Sequence, residues 1–206
     1  MAPETTPIGG ELDASAAAIE EPRVGLQSSA TFAAKRGSWL NLPREFAASI
    51  LAATTVPISL GATHFPPWAV FVSWAGTFAA GGPKREVIRK IVPTMPLGSV
   101  TAMCIVLCFN AAAKTWSGFD FTVAQMVILF VLNSSMIFVA RMVPVFSFVP
   151  GCFFGFASYF ATYYGGFGLT KGNALDSLWA VVLMNALGVL YAWLNVKFMR
   201  EADQHH

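Results

Sequence analysis

Long stretches of the chain carry no Asp, Glu, Lys or Arg, and short polar segments separate them. These uncharged stretches cover residues 46–83, 91–113, 121–140, 142–170 and 177–196. A helix that crosses a bilayer needs about 20 such residues, because each residue rises about 1.5 Å and the hydrocarbon layer is about 30 Å thick. The pattern therefore predicts an all-α, polytopic membrane protein.

Prolines divide the uncharged stretches into helices. The stretch 46–83 is too long for one span, and Pro66 and Pro67 in its middle predict a turn between two helices. Pro93 and Pro96 are expected at the beginning of the following helix, where proline is tolerated. The result is six predicted transmembrane helices, near residues 46–63, 67–82, 94–113, 122–141, 148–165 and 176–198.

The few charged residues predict the orientation of these helices. Only 12% of the residues are charged, against about 25% in a soluble domain. With six spans, ten Lys and Arg residues fall on one side, and two, Lys114 and Lys171, fall on the other. By the positive-inside rule, both termini are cytoplasmic. The predicted organisation is a flexible or interfacial cytoplasmic tail over 1–43, a transmembrane domain over 44–199 and a cytoplasmic C-terminal tail over 200–206.

The second half of the chain resembles the first at an offset of 82 residues. Residues 74–80 and 156–162 share three identities in seven positions, and the offset also carries the predicted helix 94–113 onto 176–195. Three spans in each half would make a 3+3 inverted repeat, an arrangement that often places a solute pathway at its interface. Because Ala and Phe are abundant in this chain, chance similarity is the alternative.

Aromatic and amide side chains inside the predicted spans are the candidate pore-lining residues. Aromatic pairs recur at equivalent positions of helices two and five, and two asparagines lie within helices four and six; the candidates are Trp74, Phe78, Asn133, Phe156, Phe160 and Asn185. Stacked aromatic rings could select flat neutral solutes, and the amides could bind them. The alternatives are lipid-facing rings and hydrogen bonds between helices.

Glycines at helical spacing indicate where helices approach closely. In lipid, no hydrophobic force drives helices together, so close packing requires small residues on the facing sides. The candidates for this role are Gly76, Gly98, Gly151, Gly155 and Gly188. Room for a narrow solute path is the functional alternative to ordinary helix packing.

The predicted spans contain no Asp, Glu, Lys or Arg in their interiors, which limits the possible functions. Ion-coupled transport usually requires such a group. The sequence also contains no cluster of metal ligands, no paired nucleophile and base, and no phosphate-binding loop after a strand. We therefore expect no enzymatic activity, no cofactor, no metal and no binding to nucleic acid.

Three motifs resemble a known family. Residues 147–155, SFVPGCFFG, together with SWAG at 73–76 and GGPK at 81–84, are similar to bacterial inner-membrane proteins grouped as domain of unknown function 1097. The likeness covers roughly residues 46–198. It implies a small multi-span protein of the bacterial cytoplasmic membrane, and it supplies no mechanism.

Two functional hypotheses follow. The first is a passive channel or facilitator for a small neutral solute, such as urea, a short amide or a gas. The second is a non-catalytic accessory subunit of a larger membrane complex that docks through its N-terminal tail. The expected partners are the lipid bilayer and either further copies of this chain or other subunits of such a complex.

Overall fold

A computed structural model describes residues 39–60 and 64–199 of the chain. The tails predicted over 1–38 and 200–206 lie outside the described residues. Apart from one turn of 3-10 helix at Pro144–Phe146, the described residues form six α-helices: α1 (Arg44–Leu60), α2 (Pro67–Ala79), α3 (Arg85–Ala112), α4 (Gly118–Met142), α5 (Val149–Tyr164) and α6 (Ala174–Phe198). The predicted all-α class is confirmed.

Three of the helices are long and apolar enough to cross a membrane. These are α3, α4 and α6, with 28, 25 and 25 residues. The helices α1, α2 and α5 have 17, 13 and 16 residues, fewer than the about 20 residues of a typical span. The chain is therefore a helical membrane protein with long and short helices.

The beginning of the third helix differs from the prediction. The sequence predicts a helix that begins near residue 94, after the charged segment 84–90, but α3 begins at Arg85 and contains Pro93 and Pro96 in its interior. Each proline removes one backbone hydrogen bond, while the bonds on either side keep the helix continuous. The charged residues Arg85, Glu86, Arg89 and Lys90 therefore lie in the first two turns of α3.

One end of the bundle brings together the beginning of α1 and the end of α6. The backbone N–H of Trp39 donates to the carbonyl of Lys197 at 2.8 Å, and that of Leu42 donates to Phe198 at 2.9 Å. At the same end, Phe148 packs with Ala80 and the core residues of α3, so the end of α2 lies beside the beginning of α5. We call this end of the bundle the basic end, because it carries Arg44, Lys84, Arg85, Arg89, Lys90, Arg141 and Lys197.

Contacts at the opposite end complete the arrangement. The N–H of Gly168 donates to the carbonyl of His64 at 3.0 Å, and the rings of Trp68 and Phe167 meet edge to face at 4.3 Å. Asn110, near the end of α3, donates its amide N–H to the Tyr163 hydroxyl at 2.9 Å. Successive helices therefore run in opposite directions between the two ends.

The helices pack in matching pairs. The most extensive contacts are those of α5 with α3 and of α2 with α6, while α4 lies against α3 and α1 lies against α6. If α1, α2 and α3 are exchanged for α4, α5 and α6, respectively, each of these contacts becomes another contact of the same list. The two halves of the chain therefore share this pattern of helix pairs.

The buried positions of the two halves also correspond. On α2, the buried residues Ala69, Val70, Ser73 and Thr77 lie 82 positions before four buried residues of α5. On α3, by contrast, Ile91, Met95, Gly98 and Ala102 lie 90 positions before four buried residues of α6. The helix-boundary match predicted at the single offset of 82 is therefore wrong for α3, because this helix begins at Arg85.

Glycines allow the backbones of the paired helices to touch. A Cβ atom at Gly98 of α3 would overlap the carbonyl oxygen of Cys152 on α5, and one at Gly155 of α5 would overlap that of Met95. The carbonyl of Val70 on α2 would be overlapped by a Cβ at Gly188. Of the other two glycines, Gly151 faces Thr94 and Gly76 faces the ring of Phe154.

Replacing the glycine at the α3–α5 contact should destabilise the protein. We expect Gly98→Ala to lower the free energy of unfolding by about 2 kcal/mol, since a backbone carbonyl cannot move aside as a side chain can. Thermal unfolding in detergent would measure this. The control is Ala157→Val, which enlarges an exposed position of α5; equal melting temperatures for the two variants would contradict the assigned contact.

Candidate functional site

Most buried hydroxyl groups in the bundle are satisfied by their own helix. The buried residues that donate to a carbonyl three or four positions earlier are Thr55, Ser73, Thr77, Thr94, Ser99 and Thr162. Such bonds remove polar atoms from contact with the apolar interior. Ser99 of α3 also bonds the carbonyl of Gly155 on α5 at 3.0 Å. These hydroxyls therefore strengthen packing and leave little hydrogen-bonding capacity for a ligand.

Several buried polar atoms of the described residues lack a hydrogen-bond partner, among them the Ser158 hydroxyl and the Asn195 amide oxygen, and Asn185 on α6 is the residue with both side-chain polar atoms unpaired. Its side chain is 4% exposed, and neither its amide nitrogen nor its amide oxygen has a hydrogen-bond partner within the described part of the chain. An amide without partners in an apolar environment costs about 2 kcal/mol or more. Asn185 therefore carries unused donor and acceptor capacity in the interior of the protein.

A small cavity adjoins this amide where α3 crosses α6. Its volume is about 80 Å³, and its lining consists of Val92, Met95, Pro96, Val182, Asn185, Ala186 and Val189. An apolar cavity of about 150 Å³ accommodates a benzene ring, so this one suits a molecule of three or four non-hydrogen atoms. Because Pro96 has no N–H, the carbonyl of Val92 lacks its usual helical donor.

The cavity lies at the point where equivalent positions of the two halves meet. At the offset of 90 residues, Val92 corresponds to Val182 and Pro96 corresponds to Ala186, and all four line the cavity. Asn185 corresponds to Met95 on the opposite wall. The cavity is therefore nearly symmetric in its lining, with the amide on one side only.

The aromatic candidate on α2 lies away from this cavity. Trp74 is 8% exposed and meets the ring of Tyr191 on α6 edge to face at 5.8 Å. The Tyr191 hydroxyl is in turn 2.6 Å from the hydroxyl of Thr54 on α1. Phe78, one turn after Trp74, is half-buried against the same core cluster. These rings therefore fill the space between α2, α6 and α1.

The aromatic candidates on α5 contact each other. The rings of Phe156 and Phe160 are 4.8 Å apart, and Phe156 also packs against Met136 and Ala140 of α4. Within residues 39–60 and 64–199, no ring contact joins this pair to Trp74 or Phe78. Both aromatic pairs border the core cluster that includes Trp74 and Tyr159, and neither pair contributes to the cavity lining.

The second candidate amide, Asn133, lies on α4. Its side chain is half-buried, and its amide oxygen has no hydrogen-bond partner among the described residues. It does not line the cavity beside Asn185. The two amides therefore belong to separate parts of the bundle.

The cavity includes residues that are not among the predicted pore-lining candidates, such as Val92 and Pro96. The sequence predicts Pro96 at the beginning of a helix, whereas it lies inside α3. The signal that could have found them is the recurrence of Leu-Gly followed by Ala, at 97–102 and again at 187–192. This recurrence sets the offset of 90 residues and superposes the two cavity walls.

The same residues offer no metal site. In the part of the chain that the structure describes, no three His, Cys, Asp or Glu side chains come together in a group that could hold a metal ion. The three cysteines, Cys104, Cys108 and Cys152, are free thiols. The chemistry available at the α3–α6 crossing is therefore hydrogen bonding by one amide inside an apolar lining.

A family model described as "Protein of unknown function (DUF1097)" matches residues 46–201. The chain belongs to this family. The DUF1097 match covers most of the chain, including α2 to α6 in full and α1 from its third residue. No curated protein and no solved structure matches the chain.

Removing the unpaired amide should stabilise the protein. We expect Asn185→Leu to raise the free energy of unfolding by about 1–3 kcal/mol, because a buried polar group without partners is replaced by an apolar group of similar size. Thermal unfolding in detergent would measure the change. Asn110→Leu is the control, because the Asn110 amide is bonded to Tyr163 and its loss should bring no gain. A lower melting temperature for Asn185→Leu would show that the amide has a partner.

Proposed function

We propose that this DUF1097 protein is a passive, non-enzymatic channel or facilitator for a small neutral solute, and that the solute passes the α3–α6 crossing. The observation that carries the proposal is Asn185, a buried amide with both polar atoms unpaired beside a cavity of about 80 Å³. A polar group maintained at this cost in a membrane interior is by default a candidate functional group.

The proposal includes six spans arranged as a 3+3 inverted repeat. It is supported by the alternating helix directions and by the equivalent packing of α2 on α6 and α5 on α3. Transporters built in this way commonly bind their solutes at the interface of the repeats, near the middle of the bilayer. The cavity lies at such an interface, because equivalent positions of α3 and α6 form its walls.

We further propose that the basic end faces the cytoplasm of a bacterial cell. Of the described Lys and Arg residues, seven lie at the basic end and two, Lys114 and Lys171, lie at the opposite end. This excess is the asymmetry that the positive-inside rule associates with the cytoplasmic side. The prediction that both termini are cytoplasmic agrees with it.

The charge distribution favours a neutral solute and passive movement. Every charged side chain of the described helices lies in the first two or last two turns of its helix. Coupling to an ion gradient usually needs an ionisable group at the level of the solute. Asn185 provides instead an NH₂ donor group and a carbonyl acceptor that do not titrate, which suits an uncharged hydrogen-bonding molecule.

Within the proposed class, the amide favours urea or a short amide over a gas. The solute would accept from the Asn185 nitrogen and donate to the Asn185 oxygen, and a further N–H could donate to the Val92 carbonyl. The amide atoms are enclosed in this conformation, so the side chain must turn towards the cavity when a solute enters. The conformation described here is therefore the closed one.

Solute flux into liposomes tests the proposal. We expect reconstituted protein to accelerate urea and acetamide entry in a stopped-flow measurement of vesicle volume. Asn185→Leu should reduce this flux at least tenfold, equivalent to about 1.4 kcal/mol in the barrier. Ala186→Phe should block it, since Ala186 lines the cavity.

The matched control is Ala157→Phe, the same substitution at an exposed position of α5, which should leave the flux unchanged. If the wild-type protein accelerates none of a panel of small neutral solutes, the channel proposal is wrong. If flux occurs but neither cavity variant reduces it, the protein is a facilitator whose pathway lies elsewhere.

An accessory-subunit role is the second candidate, and the exposure of α4 favours it. Only 11% of the most apolar 18-residue stretch of this helix is buried inside the protein. Large side chains including Phe119, Phe130 and Phe138 are exposed. Such a surface contacts lipid in a single chain and could contact another helix in a complex.

Migration of the native protein distinguishes the two candidates. We expect detergent-solubilised protein to migrate alone or as copies of itself, whereas co-migration with different chains would favour the subunit role. In that case, deletion of residues 1–38 should abolish the association and leave solute flux intact. Loss of flux without loss of association would assign the N-terminal segment to transport instead.

A further inference from the structure

A depression at the basic end separates the beginning of α3 from the end of α6. Its volume is about 370 Å³, and it is lined by Pro83, Arg85, Ile88, Arg89 and Trp193. None of the lining residues is acidic. The depression therefore combines two cations with an apolar and aromatic wall.

The two arginines point to the same side of α3. Residues four positions apart on a helix are neighbours on its surface, and Arg85 and Arg89 both line the depression and are exposed. Neither guanidinium forms a hydrogen bond or an ion pair with a residue that the structure describes. The nearest acidic side chain in sequence, Glu86, lines a separate depression together with Lys84 and Lys90.

The length of α3 places these arginines at the level of lipid head groups. Its 28 residues extend about 42 Å, and the hydrocarbon layer is about 30 Å thick, so about 12 Å of the helix must lie outside it. The charged residues of α3 are all in its first two turns. The part outside the hydrocarbon is therefore the part that carries Arg85 and Arg89.

Aromatic rings beside the depression agree with this depth. Trp193 meets Trp39 edge to face at 5.3 Å, and the ammonium group of Lys197 lies 5.5 Å from the centre of the Trp39 ring. Trp is enriched where the apolar layer meets the head groups. The depression therefore opens at the membrane–water boundary.

We propose that this depression binds the phosphate of an anionic phospholipid. A guanidinium group presents two parallel N–H donors that match two phosphate oxygens, and two such groups suit the phosphodiester of phosphatidylglycerol or the paired phosphates of cardiolipin. Ile88, Pro83 and Trp193 would contact the glycerol and the upper acyl chain. This apolar wall favours a lipid over free phosphate, and the proposal is independent of solute transport.

Native mass spectrometry of the full-length protein in detergent tests the site. The protein is titrated separately with phosphatidylglycerol and phosphatidylcholine, and the retained lipid is counted. We expect preferential retention of phosphatidylglycerol, weakened at least tenfold by Arg85→Gln with Arg89→Gln, which corresponds to about 1.4 kcal/mol. Arg85→Lys with Arg89→Lys, which keeps the charge but not the two-donor fork, should give intermediate retention.

The control variant is Lys114→Gln with Lys171→Gln, which removes the same charge at the opposite end. Equal weakening by this control would overturn the proposal, because it would show a general charge effect. So would displacement of the lipid by an equal concentration of inorganic phosphate, which would indicate a phosphate site. Unchanged thermal unfolding of each variant in phosphatidylcholine-containing detergent would confirm that lost binding does not reflect misfolding.

Discussion

The contact of glycine with backbone carbonyl groups is the constraint on which the rest of the bundle depends. In lipid, apolar side chains gain nothing by leaving their surroundings, so helices associate through close van der Waals packing. Gly98 brings α3 against the carbonyl of Cys152, and Gly188 brings α6 against that of Val70. These two contacts fix α5 on α3 and α2 on α6. The crossing of α3 with α6, and hence the cavity, is held between these two pairs.

Close packing also explains which polar groups are available. Where helices touch, the hydroxyls of Ser and Thr bond to carbonyls of their own helix, which costs no room between helices. The amide of Asn185 makes no such bond and has no partner among the described residues. The tight packing that satisfies most of the hydroxyls therefore leaves both polar atoms of this amide unpaired.

The sequence predicts the helical class and the number of helices, because an uncharged stretch of about 20 residues is typical of a transmembrane helix. It does not predict that α3 begins at Arg85, since Pro93 and Pro96 read locally as a helix beginning. Continuity through both prolines depends on the packing of α3 against α5 and α6, which is tertiary information. The aromatic candidates illustrate the same limit: the spacing of Trp74 and Phe78 is visible in the sequence, but the sides of the bundle they face depend on Tyr191 and Thr54.

The lining of the cavity is nearly symmetric, but only the α6 wall carries an amide. Two equivalent amides would offer a solute the same interaction on both walls. Here the counterpart of Asn185 is Met95, so α6 offers both a donor and an acceptor, while the α3 wall offers a thioether and one acceptor, the carbonyl of Val92. In the proposed channel, a solute would be oriented by this difference and would lie closer to α6. The difference between Met95 and Asn185 would therefore give the solute a single preferred orientation.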